Sequence, residues 1–204
     1  MAAKADRARA ARAPRPARGP LPREVRIIGG LWKRTKLPVA DKPGLRPTPD
    51  RVRETLFNWL EHDLGGWRCV DAFAGTGALG FEAASRGAAE VLVIEQDPEL
   101  VAQLRMVQQR LDAKTVKIER GNGLSVLGRL APGSMDLVFL DPPFDAGILD
   151  KALAAAAGPL APGGLAYLEA PTAWEDAALA PYGFVRLRHL RAGAVHAHLL
   201  QRTA

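Results

Sequence analysis

Two short stretches of the sequence contain the residue types that could do chemistry. The first runs from Asp71 through Gly75, Gly77 and Gly80, in the order Val-Asp-Ala-Phe-Ala-Gly-Thr-Gly-Ala-Leu-Gly. A strand that ends on an acid and passes through a glycine turn into a helix is how an α/β sheet builds a nucleotide-binding edge. The second is Asp-Pro-Pro-Phe at residues 141–144, directly after an apolar strand. Together they predict a cofactor pocket beside a slot for a flat, polar substrate.

The glycine motif fits two kinds of cofactor. It satisfies the dinucleotide fingerprint Gly-x-Gly-x-x-Gly, and Glu95 follows where an NAD-binding acid would fall. The same pattern suits S-adenosylmethionine, since both cofactors need a tight turn and an acid that accepts hydrogen bonds from ribose hydroxyls. Asp71 favours the second, because a cofactor with a cationic sulfonium gains from a negative charge that would repel a pyrophosphate.

The Asp-Pro-Pro-Phe motif suits a planar amine substrate. An exocyclic amine on a ring is a poor nucleophile, and Asp141 together with the Pro142 carbonyl could accept its two N–H bonds and fix it in line with a methyl group. The prolines stiffen the backbone, and Phe144 offers a face on which a base can stack. The alternative interpretation is a turn whose aspartate caps the next helix.

The elements that must position these motifs alternate between strand and helix from residue 68 onward. Each parallel strand pair needs a crossover, so this alternation predicts a parallel sheet. Only Arg191-Ala192-Gly193 separates the last two strands, which should therefore be antiparallel. The predicted strands are 68–73, 90–95, 115–119, 135–141, 163–169, 183–190 and 194–201, and the predicted helices are 77–86, 98–111, 123–130, 146–157 and 173–180. The predicted fold class is α/β, a Rossmann-like doubly wound sheet, mostly parallel with an antiparallel C-terminal hairpin, and this arrangement resembles that of class I methyltransferases.

Three segments divide the chain. Residues 1–22 are almost wholly Ala, Arg and Pro, a composition that predicts a disordered tail. Residues 23–66 predict an N-terminal hairpin and helix extension, and residues 67–204 the catalytic domain. The hairpin holds an aromatic side chain among cations that could stack on a base and bind phosphate, or simply pack. Those residues are Trp32, Lys33 and Arg34.

The extension should end in a helix that begins after Thr48. Thr48 is the expected N-cap, Pro49 the first helical residue and Asp50 a first-turn acid. Gly65-Gly66 should end the helix. Its expected buried stripe is Val52, Leu56, Trp59 and Leu60.

Positive charge is concentrated at the front of the chain. Eight Lys and Arg stand against two acids in residues 1–26, and seven against two in residues 27–53. Because the whole chain carries +6, residues 54–204 carry −5. This asymmetry predicts a polyanionic partner at the N-terminal quarter, with a merely solvated tail as the alternative for residues 1–22.

Other classes of site are disfavoured by the composition. The single cysteine excludes an internal disulfide, and no Cys or His constellation has metal-ligand spacing. No apolar run is long enough to span a membrane or form a signal peptide, so we expect a cytoplasmic protein. The four histidines are expected on the surface or in the C-terminal hairpin and not as proton acceptors. They are His62, His189, His196 and His198.

Six sequence blocks resemble the bacterial RsmD family. They are Arg-Ile-Ile-Gly-Gly at 26–30, Leu-Pro at 37–38, Gly-Leu-Arg-Pro-Thr at 44–48, Arg-Val-Arg-Glu-Thr-Leu-Phe-Asn-Trp-Leu at 51–60, Phe-Ala-Gly-Thr-Gly-Ala-Leu-Gly at 73–80 and Phe-Leu-Asp-Pro-Pro-Phe at 139–144. The resemblance implies S-adenosylmethionine-dependent methylation of the N2 amine of one guanine in 16S ribosomal RNA. The implied partner is 16S rRNA or the small ribosomal subunit, with no membrane, no metal, and a monomeric enzyme.

The resemblance also implies roles for particular residues. The cofactor-binding residues would be Asp71, Phe73, Gly75, Gly77, Glu95, Asn122 and Asp141. The catalytic residues would be Asp141, Pro142 and Phe144. The substrate-binding residues would be Arg46, Thr48, Arg51 and Phe144, to which the hairpin adds Trp32, Lys33 and Arg34. The chain departs from the family at Met106-Val107-Gln108, where relatives commonly have Asn-Leu, and in its Ala/Arg/Pro tail.

Three other functions share parts of this pattern. An adenine-N6 methyltransferase acting on DNA or RNA would use every motif above. An NAD-dependent oxidoreductase would use the glycine motif and Glu95 but leave residues 141–144 unexplained. A non-catalytic RNA-binding protein could keep the fold, although both halves of the active site are intact.

Overall fold

The computed structural model describes residues 23–42, 45, 47–143 and 147–203. The predicted tail, Arg46 and Phe144 lie outside the described residues, so the predictions made for them stay predictions. Within the described residues, no helix is long and apolar enough to cross a membrane.

The chain begins with a small hairpin and a helix. Strands β1 (Glu24–Arg26) and β2 (Lys36–Pro38) are antiparallel, with Val25 opposite Leu37. Both of these apolar side chains are buried, whereas their neighbours are exposed, as alternation in a half-buried strand requires. The predicted N-terminal hairpin is therefore confirmed.

Helix α1 (Asp50–Trp59) starts near the predicted residue but not by the predicted cap. Its N-cap is Pro49, with no side-chain hydrogen bond, and Asp50 lies in the first turn. The Thr48 hydroxyl is used elsewhere, because it donates to Oδ2 of Asp141 at 3.4 Å. The helix also ends well before the Gly65-Gly66 pair, since Glu61 and His62 take left-handed backbone conformations.

The main sheet confirms the predicted α/β fold. Its strand order is β5-β4-β3-β6-β7-β9-β8; the first five strands are parallel, β9 is antiparallel to β7, and β8 is antiparallel to β9. The strands are β3 (Arg68–Asp71), β4 (Glu90–Glu95), β5 (Val116–Arg120), β6 (Met135–Leu140), β7 (Leu160–Ala170), β8 (Phe184–Ala192) and β9 (Val195–Arg202). The helices between them are α2 (Ala78–Ser85), α3 (Pro98–Arg110), α4 (Gly123–Leu127), α5 (Ile148–Ala157) and α6 (Asp176–Leu179).

Two of these helices are shorter than the sequence predicts. Helix α4 ends at Leu127, and α6 covers only four residues before a 3₁₀ helix at Ala180–Tyr182. In the second case the missing residues are at the start, because the N-cap of α6 is Glu175 and residues 173–175 precede the helix. The backbone N–H of Trp174, inside the predicted helix, instead donates to Nε2 of His198 at 3.0 Å.

Two apolar layers cover the two faces of the sheet. Side chains of β6 alternate between them: Leu137 and Phe139 join one core, and Val138 and Leu140 join the other. The first core also contains apolar residues of the hairpin and α1, including Phe57, which lies 6.2 Å from Phe139 between ring centroids. The N-terminal extension therefore shares one hydrophobic core with the sheet.

The strand order places the two sequence motifs side by side. The chain leaves β3 toward β4 and β5, and then returns to lay β6 on the other side of β3. In such sheets a ligand binds at the carboxyl ends of the strands where the order reverses. Asp71 is opposite Phe139 in the register, so Asp71 and Asp141 end adjacent strands.

Candidate active site

A cleft of about 1010 Å³ opens at the carboxyl ends of β3, β6 and β7. It brings together most of the predicted cofactor residues and part of the substrate set. The predicted residues that line it are Thr48, Asp71, Phe73, Gly75, Glu95, Asn122, Asp141 and Pro142. The size fits a nucleoside-containing ligand, since ligand pockets commonly measure about 300–1,000 Å³.

The glycine turn is held by the acid of the next strand. Gly75 has a φ of +52°, a conformation that favours glycine, and its N–H donates to Oε2 of Glu95 at 2.9 Å. Oε1 of Glu95 accepts the Asp97 N–H at 2.8 Å. Glu95 thus fixes two loops of the cleft, and its role toward a ribose stays a prediction.

Gly77 is the one predicted cofactor residue that does not line the cleft. It has a φ of +76° and stands at the start of α2. A Cβ at this position would lie 2.5 Å from a methyl carbon of Leu104 and 2.8 Å from the Phe81 ring. Gly77 therefore lets the turn pack against α3, and its direct contact with a cofactor stays a prediction.

Asp71 is a buried carboxyl at the base of the cleft. Only 2% of the residue is exposed, and Oδ2 accepts the Gly80 N–H in the first turn of α2 at 2.9 Å. Burial raises the pKa of Asp71 from 3.8 to about 7, against the effect of its backbone hydrogen bonds. A cation bound beside it would restore the ionised form.

Asp141 lies next to a second buried acid, Glu169 at the end of β7. Asp141 is half-buried and lines the cleft, whereas Glu169 is only 4% exposed. The Tyr167 hydroxyl donates to Oε1 of Glu169 at 2.8 Å. Desolvation, followed by the nearby charges of Glu169 and Asp71, raises the pKa of Asp141 well above its ordinary value, and burial also raises that of Glu169.

Sequence reasoning missed Glu169. The signal was present, because Ala-Tyr-Leu-Glu at residues 166–169 is an apolar strand that ends on an acid, as are the stretches before Asp71 and Asp141. Strands β3, β6 and β7 therefore each deliver one carboxyl group to the cleft, in addition to Glu95 at the end of β4. Such a set suits a cationic ligand together with a substrate that donates hydrogen bonds.

The N-terminal extension closes the cleft from two sides. Thr48 is buried, and its hydroxyl lowers the pKa values of both Asp141 and Glu169. On the other side, Lys42 pairs with Asp97 at 2.6 Å and with Glu99 at 2.7 Å, at the start of α3. The extension is therefore part of the site.

An ion pair that sequence reasoning also missed holds Thr48 in place. Arg53 is completely buried in α1; its Nε donates to the Thr48 carbonyl at 3.2 Å, and Nη1 lies 3.3 Å from Oε2 of Glu82. Glu82 is buried too, and it accepts the N–H groups of Ile28 and Gly29 at 2.7 and 2.8 Å. This pair ties the hairpin, α1 and α2 together behind the cleft.

Asn122 and the Asp-Pro-Pro segment both line the cleft. The Asn122 side chain caps α4 by accepting the Ser125 N–H at 3.2 Å, and the exposed residue lines the cleft. Pro142 is buried and Pro143 exposed, so the segment runs from the core to the mouth of the cleft. Its roles toward an adenine ring and a base stay predictions.

Four predicted substrate residues within the described chain do not line the cleft. Trp32 packs partly buried against the core, and its backbone N–H donates to Oγ of Ser85, at the end of α2 away from the glycine turn. Lys33 and Arg34 are exposed beside it, and Arg51 is exposed on α1. Any contact of these four with a substrate would have to come from a large molecule that extends beyond the cleft.

The histidines form a cluster in the C-terminal hairpin, apart from His62. His198 is buried, accepts the Trp174 N–H and lies 3.2 Å from the Leu168 carbonyl, so both ring nitrogens are used. Burial lowers its pKa to about 4. His189 stacks between His198 and His196 at centroid distances of 4.8 and 5.1 Å. In the described part of the chain, no group of three or more His, Cys, Asp or Glu side chains is arranged to hold a metal ion.

Comparison with known proteins decides the family. A family model described as Conserved hypothetical protein 95 matches residues 25–201. The chain belongs to this family. Proteins of the family named Ribosomal RNA small subunit methyltransferase D are similar to it, which confirms the resemblance to the RsmD family.

Two RsmD relatives and one solved structure illustrate the similarity. The Haemophilus influenzae protein is 40% identical over 183 residues, covering 87% of this chain and 94% of the relative. The Escherichia coli K12 protein is 47% identical over 130 residues, covering 64% of this chain and 65% of that protein, slightly less than two-thirds of its length. A structure described as putative methyltransferase yhhF from Escherichia coli has a TM-score of 0.79 at 40% identity, covering 89% of this chain and 99% of that one. The fold of that solved structure thus extends over nearly all of the described chain.

Proposed function

We propose that this protein is an S-adenosylmethionine-dependent methyltransferase that modifies the exocyclic N2 amine of a guanine in 16S ribosomal RNA. The observation that carries the proposal is the adjacency of Asp141-Pro142 to an acid-lined cleft built on a glycine turn. The RsmD relatives, named as methyltransferases of small-subunit ribosomal RNA, support the substrate class.

The residues of the cleft fit the cofactor. S-adenosylmethionine supplies an electrophilic methyl group on a cationic sulfonium. Asp71 is a buried acid whose pKa is raised by burial, and a cationic ligand offsets the cost of its ionisation. Glu95 presents acceptor oxygens beside the Gly75 turn, where ribose hydroxyls would donate. A dinucleotide fits less well, because its pyrophosphate would face the same carboxyl groups.

Asp141 and Pro142 would position the amine. The Asp141 carboxylate accepts one N–H and the Pro142 carbonyl the other, which directs the nitrogen lone pair at the methyl carbon. With the cofactor bound, the N–C bond would form as the S–C bond breaks, and the bonding pair would stay on sulfur. The nitrogen becomes cationic and then releases one proton to a neighbouring carboxylate or to water. No separate base is needed before attack, so positioning and electrostatics supply the rate.

Transfer of a labelled methyl group tests this function. The protein is incubated with radiolabelled S-adenosylmethionine and with small subunits, or 16S RNA, from cells that lack the activity, and the modified base is mapped. A single N2-methylguanine is the expected product. Labelling of adenine N6 would establish the alternative nucleic-acid activity, and cofactor binding without labelled RNA would overturn the proposal.

A further inference from the structure

Glu169 has no assigned role in methyl transfer, yet it lies in the cleft beside Asp141. Its residue is 4% exposed, it ends β7 next to the strand that delivers Asp141, and it lines the cavity. Buried carboxyl groups are costly unless partners satisfy their oxygens. A carboxyl kept in this position therefore requires an explanation.

The described protein satisfies only part of this carboxyl group. Oε1 accepts the Tyr167 hydroxyl at 2.8 Å. Within the described residues Oε2 makes no hydrogen bond of 3.5 Å or less, although the Thr48 hydroxyl lies near enough to the carboxyl group to lower its pKa. Oε2 is not fully enclosed, because in the described chain the only fully buried side-chain polar atom without a hydrogen-bond partner is Oγ of Ser134. The second oxygen is thus open to the cleft and can accept a bond from a ligand.

The edge of a guanine carries the matching groups. Its Watson–Crick edge presents two adjacent donors, N1–H and the N2 amine, whereas adenine presents an acceptor at N1. Enzymes that modify a base read this edge by hydrogen bonds within the pocket. Two neighbouring carboxyl groups complement two neighbouring donors, and one of the two, Asp141, is already assigned to the amine.

We propose that Glu169 is the residue that selects guanine, by accepting the N1–H bond while Asp141 accepts the N2–H bond. This inference rests on the proposed function. Adenine would place the N1 lone pair against the Glu169 oxygen, a repulsive contact in a site with little water. Glu169 contacts the base away from the reacting nitrogen, so it determines specificity.

Tyr167 and Thr48 hold the carboxyl groups of Glu169 and Asp141 in position. Tyr167 is completely buried, and its hydroxyl fixes Oε1 of Glu169. Thr48 lies between the two acids, donating to Asp141 and lowering the pKa of Glu169 as well. Pre-oriented acceptors discriminate strongly between bases. When an analogue that lacks the hydrogen-bonding group is bound, the polar atoms of the site are left unpaired.

The test replaces guanine by a base that keeps the amine but lacks N1–H. 2-Aminopurine has the N2 amine and an acceptor at N1, and it can be placed at the target position by ligation of synthetic RNA. The assay compares kcat/KM for guanine and 2-aminopurine in whichever substrate, RNA or assembled subunit, the wild-type protein methylates. Wild type should prefer guanine by about 100-fold or more.

The decisive variant is Glu169→Gln, whose amide N–H can donate to N1 of 2-aminopurine. It should lower kcat/KM for guanine by about 100-fold and reduce the preference for guanine over 2-aminopurine by at least about tenfold. The matched control is Glu90→Gln, at the opposite end of the sheet in an exposed pair with Lys117, and it should leave the preference unchanged. An unchanged preference in folded, cofactor-binding Glu169→Gln would overturn the inference.

A measurement on the unmodified protein guards against a variant that fails to fold. Wild type that methylates 2-aminopurine within about threefold of guanine would overturn the role of Glu169 whatever the variant does. Failure of the proposed function would look different, since wild type would then label no guanine at all. If wild type methylates guanine, and Glu169→Gln shows both a large fall in that rate and a reduced preference for guanine, the proposed function and the role of Glu169 are both supported.

Discussion

The Thr48 hydroxyl donates to Oδ2 of Asp141 at 3.4 Å and thereby joins the N-terminal extension to the strand that carries the Asp-Pro-Pro motif. Thr48 is itself held through its carbonyl by Arg53. The extension, which sequence patterns alone would treat as an appendage for RNA, therefore organises the acidic side of the cleft.

Removing this hydroxyl should impair catalysis more than cofactor binding. Thr48→Val keeps the shape but deletes the donor that lowers the pKa values of Asp141 and Glu169, so both pKa values rise. The ionised forms then persist only at higher pH, and the acid limb of the kcat/KM profile moves upward. At neutral pH we expect about a tenfold loss of kcat/KM. Thr55→Val, on the surface of α1, is the control and should leave the profile in place.

The buried ion pair of Arg53 and Glu82 should dominate the stability of the extension. Arg53→Met leaves Glu82 without one partner and frees the carbonyls of Thr48 and Arg26. We expect the free energy of unfolding in urea to fall by about 3–5 kcal/mol. Arg105→Met, on the exposed face of α3, should change it by less than about 0.5 kcal/mol. If Arg53→Met changed the free energy of unfolding as little as Arg105→Met does, the ion pair would not be needed for stability.

Asp71 should cost stability at high pH in the protein without cofactor. Its folded pKa of about 7 exceeds its ordinary value of 3.8, so the folded state binds this proton more tightly than the unfolded chain. Its contribution is fully present below pH 3.8 and is lost as pH rises through about 7. Asp71→Asn cannot ionise, so its stability relative to wild type should rise by about 1–4 kcal/mol between pH 4 and pH 8.

The same substitution, Asp71→Asn, should weaken binding of the cofactor. Cation binding favours ionised Asp71, so wild-type affinity for S-adenosylmethionine should fall as pH drops below about 7, and Asp71→Asn should flatten that dependence. Calorimetry and urea unfolding on the same samples check both effects. Equal stability differences at the two pH values would contradict the assignment of a raised pKa.

The basic tail, residues 1–22, should contribute to RNA binding but not to cofactor binding. Residues 1–22 contain six Lys and Arg against one Asp, and they adjoin a chain that is acidic from residue 54 onward. Deleting residues 1–22 should weaken binding to 16S RNA and make the slope of log K against log salt shallower by about 3–5. Affinity for S-adenosylmethionine should not change. An unchanged salt slope would return the tail to the role of a solubilising segment.

The sequence predicted the parts of the site that follow from local patterns, such as alternating strands and helices and acids at strand ends. Alternating strands and helices predicted the sheet, and the strand order then brought Asp71 and Asp141 together, because both end strands at the reversal of the sheet. Glu169 follows the same rule, but its strand lacks a glycine turn or a proline pair that would draw attention to it.

The missed features depend on contacts between segments distant in the chain. Arg53 shares the buried face of α1 with Leu56 and Phe57, but a charged residue is normally exposed, and its burial depends on Glu82, a residue 29 positions away. Thr48 has every local feature of an N-cap, yet a carboxyl 93 positions away takes its hydroxyl. Local propensity cannot foresee such competition, since tertiary partners decide it.

The most direct test of the account is methyl transfer by Asp141→Ala, compared with wild type and with Glu54→Ala, an exposed acid of α1. All three proteins are assayed with small subunits that lack the modification, and S-adenosylmethionine binding is measured in parallel. We expect wild type and Glu54→Ala to form one N2-methylguanine, and Asp141→Ala to bind the cofactor but lose at least about 100-fold in rate. Full activity in Asp141→Ala would contradict the account, because the amine would then be positioned without this carboxylate.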